Sequence, residues 1–474
     1  MKISRRETLG LLAGTAVVGG CTSIAQKLEQ DNEPLSPLAL SDDPAVRRLN
    51  RFGFGPRPGD VQAFRKLGDE GWLQAQLNPG AEPVALTLAL RQLDIFHFSA
   101  PELRDFSEDM VVKQMQQAAM LRAVQSPWQL RERLVDFWTN HFNIFARKGL
   151  AAFRKPADER NVIRKHALGS FPEMLKASAQ SSAMLVYLDQ QASHRLQPNE
   201  NYARELMELH TLGVHGGYSQ KDVMEVARCF TGWSEERRFL RPRGQFRFIP
   251  ELHDDGEKVV LGQRIPAGQG EKDGLQVVEI LANHPGTAKH IAQKLCRFFL
   301  GDAGTEVEAE VAKVYRETGG QIGPMVTAIY RHPVATNSPP MLKRPFDYVV
   351  SALRATDANT DGGDALLARL SNMGQPLYLW PMPDGYPDQT EAWSGSLLAR
   401  WNFAFDLMHG KIDGTSVDRE RLARLFPEAA EEAHIFHRHP ESTSLIDPQD
   451  ALGAIANAAD RYALLIASPE FQWR

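Results

Sequence analysis

Apolar residues recur at intervals of three and four along most of this 474-residue chain, which is the spacing of an amphipathic helix. In one such segment, Leu130, Leu134, Phe137 and His141 share one side of the helix. Runs in which apolar and polar residues alternate, as they do in a half-buried strand, are few and short. The sequence therefore predicts a mainly α fold built as a large multi-helix domain.

Residues 239–266 depart from this helical spacing. Two short apolar runs, 246–249 and 259–261, flank the turn-forming sequence that begins at His253 and contains Asp255-Gly256. This pattern predicts a small β-hairpin inserted between helices, and it is the one place where we expect strands. No internal repeat or low-complexity tract divides the rest, so we expect residues 42–474 to form a single large helical domain or two intimately packed helical halves.

Two helix starts are predicted from capping residues. Ser219 is followed three residues later by Asp222, and Ser126 is followed by Gln129, which is the spacing of a capping box. In such a box the hydroxyl of the first residue accepts a backbone N–H that has no partner within the helix. We therefore expect helices to begin directly after Ser219 and Ser126.

The first residues of the chain have the pattern of an export signal. Arg5 and Arg6 precede an uncharged apolar run that is too short to span a bilayer, and small residues then lead to Cys21. We expect residues 1–20 to be a removable twin-arginine signal peptide of the lipoprotein type. Cys21 would then carry the lipid, and residues 21–41 would form a polar tether. A Thr at position 8 stands where the twin-arginine pattern usually has Phe.

The net charge and the hydropathy of the chain restrict the partners that the exported protein can bind. The formal net charge of the chain is −5, and removal of residues 1–20 takes away a net +2, which leaves −7. A chain of this charge lacks the basic surface that binds nucleic acid. No later segment holds the roughly 18 apolar residues of a membrane span. We expect a periplasmic or cell-surface protein that is held at the membrane through Cys21 alone.

Two further cysteines, Cys229 and Cys296, lie in helical patterns among apolar residues. An oxidising compartment would permit a disulfide between them. Their apolar surroundings favour two buried free thiols instead.

Several segments resemble a known bacterial family. They are Leu49-Asn50-Arg51-Phe52-Gly53-Phe54-Gly55-Pro56-Arg57-Pro58-Gly59, Phe137-Trp138-Thr139-Asn140-His141-Phe142, Asn201-Tyr202-Ala203-Arg204-Glu205-Leu206-Met207-Glu208-Leu209, residues 222–233, His253-Asp254-Asp255-Gly256-Glu257-Lys258, His284-Pro285 and Met373-Gly374-Gln375-Pro376. On these segments the chain resembles the family called domain of unknown function 1800. The resemblance covers nearly the whole chain after the signal and implies no established activity. It implies an exported bacterial protein whose gene commonly lies beside one for an exported sulfatase-like protein.

One candidate site lies on the predicted helix 201–212. At 100° per residue, Arg204, Glu205 and Glu208 fall within about 100° of one another. Two close carboxylates would hold a divalent metal or separate their pKa values for acid/base work, provided that the face is enclosed. The alternative is a solvated face on which Arg204 pairs with Glu208. His210 lies on another side of the same helix, so we interpret it as structural.

Three further residues are candidates for a site. His141 is predicted to be buried, either as a hydrogen-bonded core residue or as a metal ligand or proton carrier. His253 and Asp254 are predicted to lie at a turn, from which they could reach a ligand. His290 shares a helical face with basic residues and is interpreted as part of a solvated surface.

Two functions from different classes remain open. The first is an enzyme that acts on an extracellular or envelope substrate, with His141, Glu205 and Glu208 as catalytic residues and Arg204, His253 and Asp254 as ligand-binding residues. Its centre would be metal-dependent, with a divalent ion, or would work by acid/base chemistry. The second is a non-catalytic scaffold or binding lipoprotein for the sulfatase-like partner, whose contact surface would be the aromatic loop 378–386.

Overall fold

The computed structural model describes residues 43–236, 238, 244–302, 304–425 and 458–474. The predicted signal peptide (1–20), the lipid-bearing Cys21 and the tether (21–41) lie outside the described residues, as do positions 239–243 of the predicted β insert. Within the described ranges the mainly α prediction is confirmed, because helices account for most of the chain and every sheet has only two strands.

Twenty-one α-helices lie in the described ranges. The first eleven are α1 (Pro44–Arg51), α2 (Asp60–Leu67), α3 (Asp69–Leu77), α4 (Val84–Leu90), α5 (Glu108–Gln125), α6 (Gln129–His141), α7 (Ala151–Asp158), α8 (Phe171–Ala179), α9 (Ser182–Tyr187), α10 (Glu200–Met207) and α11 (Gln220–Cys229). The others are α12 (Lys272–Ala282), α13 (Pro285–Leu300), α14 (Thr305–Thr318), α15 (Ile322–Arg331), α16 (Val334–Asn337), α17 (Pro345–Ala355), α18 (Asp364–Asn372), α19 (Leu397–Met408), α20 (Arg419–Leu425) and α21 (Ala458–Ala467).

Two helices end in a wider π-helical turn. Helix α7 continues as a π-helix over Glu159–Arg164, and α10 continues as one over Glu208–Leu212. In a π-helix the backbone hydrogen bonds join residues five apart, and such turns are rare and frequently lie at functional sites. The uniform rotation of 100° per residue that was assumed for residues 201–212 is therefore wrong from Glu208 onward.

Three of the strands lie in the predicted region 239–266, and their pairing differs from the prediction. Strand β1 (Trp233–Glu235) pairs with β2 (Phe246–Phe248), and β3 (Lys258–Val260) pairs with β4 (Gln263–Ile265). The small β-hairpin predicted within residues 239–266 is confirmed, and β3 and β4 form it. The pairing of 246–249 with 259–261 is wrong, because each run finds its partner elsewhere. A third pair, β5 (Asn359–Thr360) with β6 (Thr415–Ser416), was not expected because its strands are only two residues long.

Buried apolar side chains form two clusters. The first extends from α1 to α16 and contains Trp138 and Phe171 among its fully buried rings. The second combines α5 with α17, α19 and α21. Burial of this apolar surface is the main favourable contribution of both clusters to the free energy of folding. Helix α6 faces the first cluster with Leu134 and Trp138, and its polar side faces the second.

The capping predictions have different outcomes. At α11 the box is confirmed, because the Ser219 hydroxyl accepts from the backbone N–H of Asp222 and the Asp222 carboxylate accepts from that of Ser219. At α6 it is wrong. The Ser126 hydroxyl donates to Glu82 at 2.9 Å, and the helix begins three residues later without a side-chain cap.

Cys229 and Cys296 are both free and buried, as the apolar surroundings predicted. Burial raises the pKa of each thiol to about 12. Among the described residues, no helix combines the length and the apolar character needed to cross a membrane.

Candidate functional site

A partly enclosed cavity of about 50 Å³ lies between the two buried clusters. Its walls come from α5, α6, the π-helix after α7, the start of α17 and the loop 375–386. The polar side chains that line it are Glu132, Asp136, Thr139, Asn140, Asn143, Glu159, Arg164, Gln375, Tyr378 and Tyr386. A cavity of this size holds water or one small chemical group, because pockets for larger ligands measure about 300–1,000 Å³.

Glu132 is an ionised carboxylate held by arginines. Both of its oxygens accept from Arg164, at 2.6 and 2.8 Å, and Arg131 donates to it at 3.3 Å. Burial alone would raise the pKa of Glu132, but the charge and hydrogen bonds of Arg164 overcome this and lower it. A bidentate arginine–carboxylate pair of this kind is among the strongest hydrogen-bonded contacts in proteins.

Glu159 lines the same cavity, but its surroundings shift its pKa in the direction opposite to that of Glu132. It is buried, and it accepts a hydrogen bond from the Thr139 hydroxyl at 3.2 Å. Within the described ranges no basic side chain forms an ion pair with it. Burial raises the pKa of Glu159, and the positive charges of Lys155 and Arg164 offset this only in part. Two of the cavity's carboxyl groups, those of Glu132 and Glu159, are therefore driven toward different protonation states.

The π-helix explains why Glu159 and Arg164 meet in one cavity. In an α-helix, residues five apart point about 140° away from each other. In the π-helix Glu159–Arg164, residues five apart are joined through the backbone and lie closer to one side than they would in an α-helix. Pro156, which has no N–H to donate, interrupts the α-helical hydrogen bonds just before this turn. The wider turn thus places the carboxyl group of Glu159 and the guanidinium group of Arg164 in the same cavity.

The loop 375–386 covers the cavity and is fastened to α6 and the residues that follow it. The Asn140 side chain bonds both backbone groups of Tyr386, at 2.7 and 3.0 Å. The Asn143 amide donates to the carbonyls of Trp380 and Met382, at 3.0 and 2.6 Å. Tyr378 and Tyr386 are buried, so the ends of the loop that was predicted as a contact surface face inward.

His141 lies in a cluster of histidines on the opposite side of α6. Its Nε2 is 3.2 Å from the carbonyl oxygen of His210, and its ring centre is 6.1 Å from that of His210 and 6.4 Å from that of His290. Burial and the charge of Lys294 lower the pKa of His141 well below its usual value, so the ring is neutral. The interpretation of His290 as a solvated residue is wrong, because α13 packs against the end of α10.

Glu205 and Glu208 lie close enough to repel, and burial together with Glu208 raises the pKa of Glu205. Glu208 accepts from the Tyr218 hydroxyl at 3.2 Å. The predicted ion pair between Arg204 and Glu208 is not formed. Arg204 lies instead 3.9 Å from Glu200 and donates to Gln220 at 2.8 Å. Among the described residues, no hydrogen bond or ion pair joins His141 to either carboxylate.

His253 and Asp254 take part in separate contacts. His253 is buried, with Nδ1 at 2.8 Å from the carbonyl oxygen of Thr231 and Nε2 at 3.1 Å from the Asp273 carboxylate. Asp254 pairs with Arg228 at 2.7 Å. Within the described ranges, no side-chain hydrogen bond or ion pair joins His141, the carboxylates of Glu205 and Glu208, and the pair His253 and Asp254 to one another. No group of three His, Cys, Asp or Glu side chains in these ranges is arranged to hold a metal ion.

The residues that line the cavity were not predicted as a site, although part of the signal was present. Glu132, Asp136, Asn140 and Asn143 recur at intervals of four, four and three, so the first three form one polar side of α6 and Asn143 follows shortly after the helix ends. Glu159 and Arg164 both line the cavity because of the π-helical turn, and no pattern of residues in the sequence predicted that turn.

Fold and cavity together define a large helical protein with an arginine- and carboxylate-lined cavity between two buried clusters. The chain belongs to the family described as protein of unknown function (DUF1800), whose profile matches residues 47–473. The expected resemblance is thereby confirmed. No curated protein and no solved structure matches the chain.

Proposed function

We propose that this chain is an exported, lipid-anchored acid/base enzyme acting on an extracellular or envelope substrate, with its centre in the cavity beneath the loop 375–386. One observation carries the proposal: Glu132 and Glu159 line the same cavity, and their surroundings move their pKa values in opposite directions. Paired carboxyl groups with separated pKa values are the usual arrangement for acid/base chemistry.

The roles follow from the contacts of each carboxyl group. Glu159 transfers its proton to a leaving oxygen as the bond to that oxygen breaks. A water molecule from solvent then adds to the other fragment and returns a proton to Glu159. Glu132 stays ionised through Arg164 and stabilises positive charge that develops on the substrate. The small cavity accepts one group of the substrate and leaves the remainder outside.

Turnover of chromogenic probes tests this function. The full chain, purified in detergent, is incubated with 4-nitrophenyl esters, phosphates, sulfates and glycosides. We expect hydrolysis of at least one class, and we expect its loss in the Glu159→Gln variant. Absence of turnover with all four classes would contradict the proposal.

Export is proposed from the pattern of residues 1–21 and is tested by fractionation. We expect the wild-type protein in the membrane fraction and labelled by fatty acid. Replacing Cys21 with Ser should abolish the label and release the protein from the membrane, because the lipid is its only anchor. Cys229→Ser is the matched control and should keep the label. Equal labelling of all three proteins would contradict this anchor.

A second candidate function is a scaffold for the exported sulfatase-like partner. It is favoured by the separation of the predicted residues, since His253, Asp254 and Arg204 each bond to partners of their own. We expect the scaffold to co-purify with that partner from a membrane extract at physiological salt. Recovery of the partner with Glu159→Gln as well as with wild type would support this function, and no recovery with either would contradict it.

A further inference from the structure

Tyr378 is held in the cavity by an unusual backbone conformation. Its φ angle is +63°, in the left-handed region that bulky side chains rarely adopt. Non-glycine residues persist in this region only when surrounding contacts impose it, and they concentrate at functional sites. Here the carbonyl of Tyr378 accepts from the backbone N–H of Ala146 at 3.0 Å, and the adjacent carbonyl of Leu377 accepts from Gln116 at 2.8 Å.

The side chain of Tyr378 is buried and lines the cavity that also contains Glu132 and Glu159. The ammonium nitrogen of Lys155 lies 6.0 Å from the centre of its ring. Within the part of the chain that the structure describes, no hydrogen bond is made by its hydroxyl group. The hydroxyl oxygen is nevertheless not a fully buried atom, so it is open to the cavity that the ring lines, where a bound group can accept from it.

The neighbouring tyrosine of the loop is a useful contrast. Tyr386 lines the same cavity, but its hydroxyl donates to the carbonyl of Pro376 and so fastens the loop. The only donor of Tyr378 remains available to a bound group. Burial, together with the nearby Glu159, raises the pKa of Tyr378 well above its usual value, so the phenol keeps its proton.

We propose that Tyr378 is a further catalytic residue, whose hydroxyl donates a hydrogen bond to the substrate oxygen that receives the proton of Glu159. This inference rests on the proposed acid/base function. No covalent bond forms to Tyr378, and its proton stays on the phenolic oxygen throughout. The hydrogen bond strengthens as negative charge develops on the substrate oxygen, which is how fixed donors accelerate such reactions.

The test compares Tyr378→Phe with Tyr187→Phe in the full chain, on the nitrophenyl probe that the wild type hydrolyses fastest. Tyr187 is the matched control, because its hydroxyl donates to Pro381 of the same loop at 2.8 Å and does not line the cavity. We expect Tyr378→Phe to lower kcat about 100-fold, with KM unchanged. Its urea midpoint should stay the same, because the removed hydroxyl makes no hydrogen bond within the described residues. Tyr187→Phe should lower the urea midpoint and leave kcat unchanged.

The outcomes separate this inference from the function on which it rests. If Glu159→Gln loses turnover while Tyr378→Phe retains it, the role of Tyr378 is overturned and the acid/base function stands. A Tyr378→Phe variant that loses stability and kcat together would show a structural role and would also overturn it. If both variants keep wild-type turnover, or if the wild type hydrolyses no probe, the function and the inference both fall.

Discussion

Replacing Asp347 with Ala is expected to destabilise the protein by about 3–5 kcal/mol, the usual effect of removing one partner from a buried ion pair. Asp347 is buried at the start of α17, where it accepts from Arg133 at 2.5 Å and from Arg344 at 3.3 Å. Arg474 approaches the same carboxylate at 3.7 Å. Without Asp347, these guanidinium groups would keep their charge in an apolar interior. The midpoint of urea unfolding measures the change.

The matched control is Asp364→Ala, which removes a carboxylate from an exposed ion pair with Lys113. An exposed pair contributes at most about 1 kcal/mol, so this variant should remain close to wild type. Equal losses in the two variants would contradict the importance of the buried arginines around Asp347.

The pH dependence of the Asp347 contribution has a defined sign. Burial would raise the pKa of Asp347, but Arg133 and Arg344 overcome it and hold the value far below the usual 3.8. A group whose pKa is lower in the folded state stabilises the protein above its unfolded pKa. The difference between wild type and Asp347→Ala should therefore be full above about pH 4 and should shrink as the pH falls below 3.8.

Replacing Glu159 with Gln is expected to reduce kcat by about 10²- to 10⁴-fold, because an amide cannot transfer the proton that a carboxylic acid supplies. Gln has nearly the shape of a protonated Glu and keeps an oxygen for the hydroxyl of Thr139, so the fold should be retained. Steady-state turnover of the nitrophenyl probe measures the effect. Glu173→Gln, an exposed change on the nearby α8, is the matched control.

The assignment of Glu159 as the acid also determines the direction in which kcat changes with pH. Glu159 must be protonated to act, and burial raises its pKa above the usual 4.5. Wild-type kcat should therefore fall as the pH rises through this raised pKa. An acid with an ordinary pKa would already have lost its proton over most of that range.

The helical architecture could be predicted because amphipathic spacing is a local property. Leu130, Leu134 and Phe137 share the side of α6 that faces the first buried cluster, as their spacing indicates. Strand pairing was less predictable. Phe246–Phe248 pairs with Trp233–Glu235, and nothing within such short runs specifies a partner.

The candidate site was harder to predict because its groups come from distant parts of the chain and from an irregular turn. Glu159 and Arg164 face the same way only in the π-helix, whereas regular helical spacing separates them. Tyr378 reaches the cavity through a left-handed backbone angle. In contrast, Glu205 and Glu208 lie close enough for Glu208 to raise the pKa of Glu205, but His141 is buried among other histidines.

The ratio of wild-type kcat to Glu159→Gln kcat, on one nitrophenyl probe and with Glu173→Gln measured alongside, tests the cavity as an acid/base centre most directly. We expect a ratio of about 100 or more for Glu159→Gln and a ratio near one for Glu173→Gln. A ratio near one for Glu159→Gln, in a variant that unfolds at the same urea concentration as wild type, would show that Glu159 is not the acid.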